Sequence, residues 1–212
     1  MKKNIVLFVL FVLPIVAYLF FASGVNSFAK LPVLTPKVQD LGDWQTLRGD
    51  TLSLDNKITI LSFGGHNLLE NRGNYFNLNQ KVYQRYHQFK DLQFVVVCPI
   101  GTEADARALL ASLDVITDIT QWHFVFAAPE EIAAFYTGLK LKAPLPATLG
   151  SENVYIVDKE RNLRGRKGSK EYKEGYSTFH PSELSNEMLD DFKVILYEYR
   201  AALKKNNASR KI

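Results

Sequence analysis

The chain has one cysteine, Cys98, in 212 residues. An intramolecular disulfide is excluded. A two-cysteine redox couple within one chain is excluded as well, because thiol–disulfide exchange needs a resolving partner. No Gly-x-Ser-x-Gly elbow is present to raise a nucleophilic serine, although Ser62 precedes Phe63-Gly64-Gly65. Gly165-Arg166-Lys167-Gly168 lacks the spacing of a phosphate-binding loop. The formal net charge is only +4, and Lys2 and Lys3 supply two of those charges, so a nucleic-acid surface is not expected. Charge is missing altogether between Lys3 and Lys30.

That uncharged stretch contains IVLFVLFVLPIVAYLFFA, from Ile5 to Ala22. Eighteen residues of helix span about 27 Å, close to the hydrocarbon thickness of a bilayer. An N-terminal transmembrane anchor over residues 1–24 is therefore expected, with Pro14 kinking it at mid-span. Lys2 and Lys3 place the N-terminus in the cytoplasm by the positive-inside rule. The rest of the chain is then exported, tethered to the plasma membrane by a single pass. A cleaved signal peptide is the alternative, with Ala22-Ser23-Gly24 as a small-residue site, and it exports the same domain. No lipoprotein-type cysteine lies near the segment.

Residues 25–43 read as a tether, 44–206 as one folded domain and 207–212 as a basic tail. About 170 exported residues suffice for a single core. Ten Tyr, fourteen Phe and two Trp argue against disorder. Trp44–Leu54 reads as a short hairpin around Gly49-Asp50. KITILSFG (57–64) and DLQFVVVCPI (91–100) are apolar runs suited to strands buried on both faces. A polar loop, GHNLLENRGN, separates the first from a helix expected over 78–89, with Val82, Tyr83, Tyr86 and Phe89 on one side. A second helix is expected over 101–113, with Ala104, Ala108, Leu109 and Leu113 as its stripe and Thr102 as its cap. WHFVFA (122–127) is a third strand. A helix over 129–139 starts with Pro and two acids, as the helix dipole favours. Residues 153–167 read as a hairpin, 168–180 as a polar excursion, and 182–205 as an amphipathic helix facing inward with Leu184, Met188, Phe192, Ile195, Leu196, Tyr199 and Leu203. Strands alternating with helices imply a parallel core sheet with right-handed crossovers, and the late hairpin adds antiparallel strands. The expected class is α/β, a thioredoxin-like domain with a central mixed sheet flanked by helices.

Several segments together resemble the SCO/SenC copper-chaperone branch of the thioredoxin-like superfamily. They are Ser62-Phe63-Gly64 ending the first core strand, FVVVCP in the second, Trp122-His123-Phe124 opening the third, Pro129-Glu130-Glu131-Ile132, and Val154–Lys159 followed by Asn162-Leu163-Arg164-Gly165. The C-terminal EYRAALKKNN is similar to SCO-like proteins of the Bacteroidetes type. The resemblance covers roughly Trp44 to Lys205. It implies copper binding through Cys-x3-Cys-Pro after the first core strand and a histidine before the final hairpin. In this chain those positions fall near Leu68, Arg72 and Gly150. Copper(I) prefers soft thiolate or thioether donors; leucine cannot ligate and arginine is permanently cationic. The resemblance thus carries a fold and a tether, and the copper and disulfide chemistry is expected to be lost. No cofactor and no catalytic residue is expected.

Substitute ligands have to be sought among His66, Glu70 and His180. His66 and Glu70 would share a helical face at four residues' spacing, but a metal site needs three or four convergent donors. His87 and His123 read as a surface and a sheet residue. Cys98, within an apolar run, reads as a small buried hydrophobe, with an intermolecular disulfide or a metal thiolate as alternatives. Arg164 and Arg166, with Tyr172 and Tyr176, could grip an acidic partner surface, or could simply be a charged edge strand that resists aggregation. Three functions follow as expectations: a non-catalytic envelope module that binds a protein partner, through the resemblance in respiratory oxidase assembly; a single-cysteine thiol enzyme using Cys98; and a metal chaperone with replaced ligands.

Overall fold

The computed structural model describes residues 8, 10–16, 18, 30–168 and 171–209. The chain divides into two compact units, Met1–Lys30 and Leu31–Ile212. In the first, residues 8, 10–16 and 18 are helical. Among the described residues no helix is long and apolar enough to cross a membrane. Much of the expected anchor, and Arg210 and Lys211 of the basic tail, lie outside the described residues.

The second unit is built on a mixed sheet. Its core strands are β3 (Ile58–Phe63), β4 (Leu92–Pro99) and β5 (Trp122–Ala127), mutually parallel. β6 (Asn153–Val157) runs antiparallel to β3, and β7 (Leu163–Arg164) antiparallel to β6. The edges are β1 (Val33–Thr35), on β7, and β2 (Gln45–Thr46), on β5, giving the order β1-β7-β6-β3-β4-β5-β2. Because successive strand residues face opposite sides, two cores form. Ile58, Ile60, Phe94, Val96 and Phe124 face one; Leu61, Phe63, Val95, Val97 and Val125 face the other.

Helix α1 starts at Arg72 (Arg72–Leu78), six residues before its expected start, and runs through a π-helical segment (Asn79–Tyr83) into a last turn (Gln84–Tyr86). Asn and Gly are poor helix formers and made its first turn look like loop. Burial of Tyr75 and Leu78 outweighs that propensity. Helix α2 is Glu103–Asp114. Its buried face is Ala106, Leu109 and Leu113, whereas Ala104 and Ala108 of the expected stripe are exposed. Thr102 makes no side-chain cap; its hydroxyl donates to the Pro99 carbonyl at 2.8 Å. Helix α3 (Pro129–Gly138) begins as expected, with the Ala128 N–H donating to the Glu131 carboxylate at 2.9 Å. The final helix opens with a turn (Pro181–Glu183) and a π-helical segment (Leu184–Met188) and continues as α4 (Leu189–Ser209), past the expected end at 205. It buries Leu184, Met188, Phe192, Ile195 and Leu196.

Three segments depart from the expected layout. Residues 31–43, read as tether, pack into the domain: β1 joins the sheet, and Val38 and Leu41 are buried. Within Trp44–Leu54 the turn at Gly49-Asp50 closes through the Thr46 N–H bonded to the Asp50 carbonyl at 2.8 Å, but β2 pairs chiefly with β5. The polar excursion returns to the sheet. Its β9 (Tyr172–Lys173) pairs with β8 (Arg166–Lys167), and β10 (Tyr176–Ser177) with β6.

Candidate functional site

The turn after β3 occupies the place to which the sequence resemblance assigns copper. Gly64 forms an isolated bridge with Gly150, the Ser151 N–H donates to the Phe63 carbonyl at 3.0 Å, and the His66 N–H donates to the Thr148 carbonyl at 2.9 Å. The loop before β6 is thereby locked onto the end of β3. Gly65 is required twice over. Its φ is +64°, and a Cβ there would stand 2.5 Å from the Thr148 carbonyl oxygen and 2.6 Å from the Gly150 nitrogen. The Gly64-Gly65 pair is thus a tight strand-to-helix turn.

Leu68, near one expected copper-ligand position, is fully buried. A Cβ on Gly64 would sit 2.8 Å from the Cys98 sulfur and 2.9 Å from Leu68 Cδ1, so sulfur, leucine and turn backbone close around one point. Arg72, near the other position, is exposed at the start of α1. Cys98 is fully buried. Burial pushes its thiol well up, against the smaller opposing effects of the Thr102 hydroxyl and the Gly64 backbone. A thiol so placed is held as SH at neutral pH and behaves as a small core side chain. Tyr75, packed nearby, is raised by the same desolvation.

Beside the turn lies a cavity of about 290 Å³. Asn67, Asn71 and Asn74 line it with Tyr75, Ser151 and Thr178. The Asn71 carboxamide donates to the Asn67 carbonyl at 3.3 Å, and the buried Asn67 Oδ1 has no partner among the described residues. A buried acceptor without a donor is costly and calls for an N–H, a hydroxyl or a water. The cavity can therefore hold a polar group by hydrogen bonds, and carries neither thiolate nor imidazole in its lining. Sequence reasoning missed these asparagines. Positions 67, 71 and 74 follow helical spacing, a signal hidden when the segment was read as a solvated loop.

His66 and Glu70 are exposed on a turn and share no helical face; His180 is exposed at the start of the last helix. Among the described residues no group of three or more His, Cys, Asp or Glu could hold a metal ion. His87 Nδ1 sits 3.0 Å from the Gln84 carbonyl oxygen. His123 is half-buried on β5, and burial, then Arg48, pull it below the usual histidine range.

The arginine–tyrosine cluster divides. Arg164 is buried, 6% exposed, and bonds to three separated parts of the chain. Its guanidinium donates to Asp158 at 2.9 Å, to Glu198 of α4 at 2.8 and 2.9 Å, and to the Leu31 carbonyl at 3.1 and 2.6 Å. Tyr176 is fully buried and donates to Asp191 at 2.7 Å. Burial raises the Asp191 carboxyl, with Tyr176 and Arg166 pulling the other way. Arg166 reaches Asp191 at 3.4 Å. Only Tyr172 of the four is largely exposed, at 49%. The two buried residues are internal fastenings and offer no surface to a partner.

No protein-family profile matches the sequence, and no curated protein matches it. Similarity appears among solved structures. BsSco, described as a member of the Sco family of cytochrome c oxidase assembly proteins with a disulfide switch, matches over 78% of this chain and 98% of its own, at 14% identity and a TM-score of 0.52. A protein of Aquifex aeolicus described as a candidate for electron transfer matches over the same shares, at 14% identity and a TM-score of 0.51. Nearly the whole of each structure is thus matched, and what is shared is a backbone arrangement: the chain has an SCO-like thioredoxin fold.

Proposed function

We propose that this chain is a membrane-anchored, non-catalytic SCO-like factor of the cell envelope that docks another protein, in the setting of respiratory oxidase assembly. The observation that carries this reading is the closure of the turn after β3: Leu68 and the Gly64–Gly150 bridge seal the point where the resemblance would have a copper ion, over a buried, protonated Cys98. A fold kept while its reactive corner is filled serves as a surface. The apolar segment from Ile5 to Ala22 supplies the tether, with the domain on the outer side of the plasma membrane. The setting comes from the Sco-family relative of similar fold, which is described as an oxidase assembly protein.

The test is quantitative co-purification from solubilised native membranes, using the full chain and a Tyr172→Ala, Phe179→Ala double variant. Both side chains are exposed, at 49% and 61%. Enrichment of oxidase subunits with the wild-type chain, reduced in the double variant, is the expected result. No enrichment of any oxidase subunit over an unrelated anchored domain would overturn it.

A further inference from the structure

A second concavity, of about 660 Å³, lies between the segment 39–46, the turn after β4, the end of β5 and helix α3. It shares no residue with the cavity beside Gly64. Its floor is apolar. Trp44 packs edge-on against Phe135 with ring centroids 5.2 Å apart, and Phe126 lies alongside. Ile100 stands on its wall, 63% exposed, at the turn where β4 ends. An isoleucine so exposed between Pro99 and Gly101 contributes little to either core.

The rim carries one sign of charge. Asp40, Asp43, Glu103 and Glu131 line the groove, and no Lys, Arg or His does. Asp40, Glu103 and Glu131 accept backbone N–H groups at Leu54, Gly101 and Ala128, which fixes their positions without neutralising them. Asp43 is exposed and has neither an ion pair nor a hydrogen bond among the described residues. The chain as a whole carries a net +4, so this negative rim runs against the average charge of the molecule. An aromatic floor beside an exposed aliphatic anchor is what a docking partner's apolar side chain fills. A ring of carboxylates selects a partner by charge and speeds its encounter.

We propose that this groove docks a cationic segment of a partner protein, with aliphatic side chains seated on Trp44 and Ile100 and lysines or arginines facing Asp43, Glu103 and Glu131. The surface is separate from the turn after β3, so failure of one reading leaves the other standing.

The test titrates the full chain, in zwitterionic detergent, with labelled synthetic heptapeptides of alternating Lys and Leu, Glu and Leu, or Lys and Ser. Binding is followed by anisotropy of the label and by the emission of Trp44. The Lys–Leu peptide is expected to bind and shift the emission, while the other two bind at least tenfold more weakly. Trp44→Phe should abolish the emission change. Ile100→Arg combined with Asp43→Lys should weaken binding by tenfold or more; both sites are exposed, and an unchanged melting temperature confirms folding. Affinity should fall with added salt, as screening requires. Equal binding of the acidic peptide, or affinity unaffected by the double variant, would overturn the proposal. So would self-association of the chain that the double variant abolishes, since the occupant would then be a second copy.

Discussion

The turn around Gly64 and the cluster around Arg164 invert what their residue types suggest. The turn is rich in Gly and Asn and reads as a solvated loop, yet it is sealed: backbone pairs Gly64 with Gly150, and Leu68 is buried beside Cys98. The arginine cluster reads as a charged surface, yet its centre is interior, with Arg164 joining the start of the domain, the β6–β7 turn and α4. One region is closed by packing and backbone bonds. The other uses charge as a fastening. Charge by itself therefore does not mark the working face of this molecule; the exposure of each charge and the number of its partners do.

The largest effect is expected from breaking the fastening. Arg164→Ala leaves the buried Asp158 carboxylate without its cationic partner, only the N–H groups of Glu160 and Asn162 remaining, and should lower unfolding stability by about 3–5 kcal/mol. Chemical denaturation measures this, and a wild-type midpoint would deny Arg164 a structural role. Leu68→Ala opens a space in the sealed turn and should cost about 2–5 kcal/mol. It should also speed alkylation of Cys98, which in the wild-type chain is expected to react only after denaturant is added. Rapid alkylation of the native wild-type chain at neutral pH would show the seal to be open. Gly65→Ala should cost at least about 1–2 kcal/mol, the usual penalty for a left-handed residue, and more from its collision with the Thr148 carbonyl.

A smaller effect concerns pH. Burial tends to raise the Asp40 carboxyl, but its bonds from Ser53, Leu54 and Leu41 outweigh that and hold it below the usual aspartate value of 3.8. A lowered folded value stabilises the protein above the unfolded value, and that stability is lost as pH falls through the folded one. Thermal melts of Asp40→Asn should be flatter than wild type across the range below about pH 4. Parallel melting curves would remove Asp40 as a contributor to acid unfolding. The smallest effect is expected of Tyr172→Ala, within about 0.5 kcal/mol of wild type. A larger loss would make Tyr172 another fastening and move it to the structural side of the comparison.

The sheet was legible because β3, β4 and β5 are short, predominantly apolar runs bounded by turn residues, the pattern of strands in a buried sheet. The final helix was legible from its long periodic stripe. The start of α1 was not, because asparagine and glycine hide a helix whose stability comes from burying Tyr75 and Leu78. The strand at Val33–Thr35 was hidden by the prolines around it and by its pairing with residues some 130 positions away, at Leu163 and Arg164. At the candidate site, the sequence shows that Leu68, Arg72 and Gly150 are not copper donors. The carboxamide lining could not, since it depends on residues 146–151 folding back onto Gly64, a contact without local signal. Tyr176 misled for the opposite reason: its hydroxyl suggests a surface, and only the fold brings it to Asp191.

The most direct measurement is an anaerobic copper(I) competition titration on the full chain with a chromophoric chelator, run beside a Cys98→Ala variant. The account predicts that neither protein removes copper from the chelator and that their titration curves coincide. Stoichiometric copper retained by the wild-type chain and lost in the variant would contradict it, because the turn would then be open to a metal ion at Cys98.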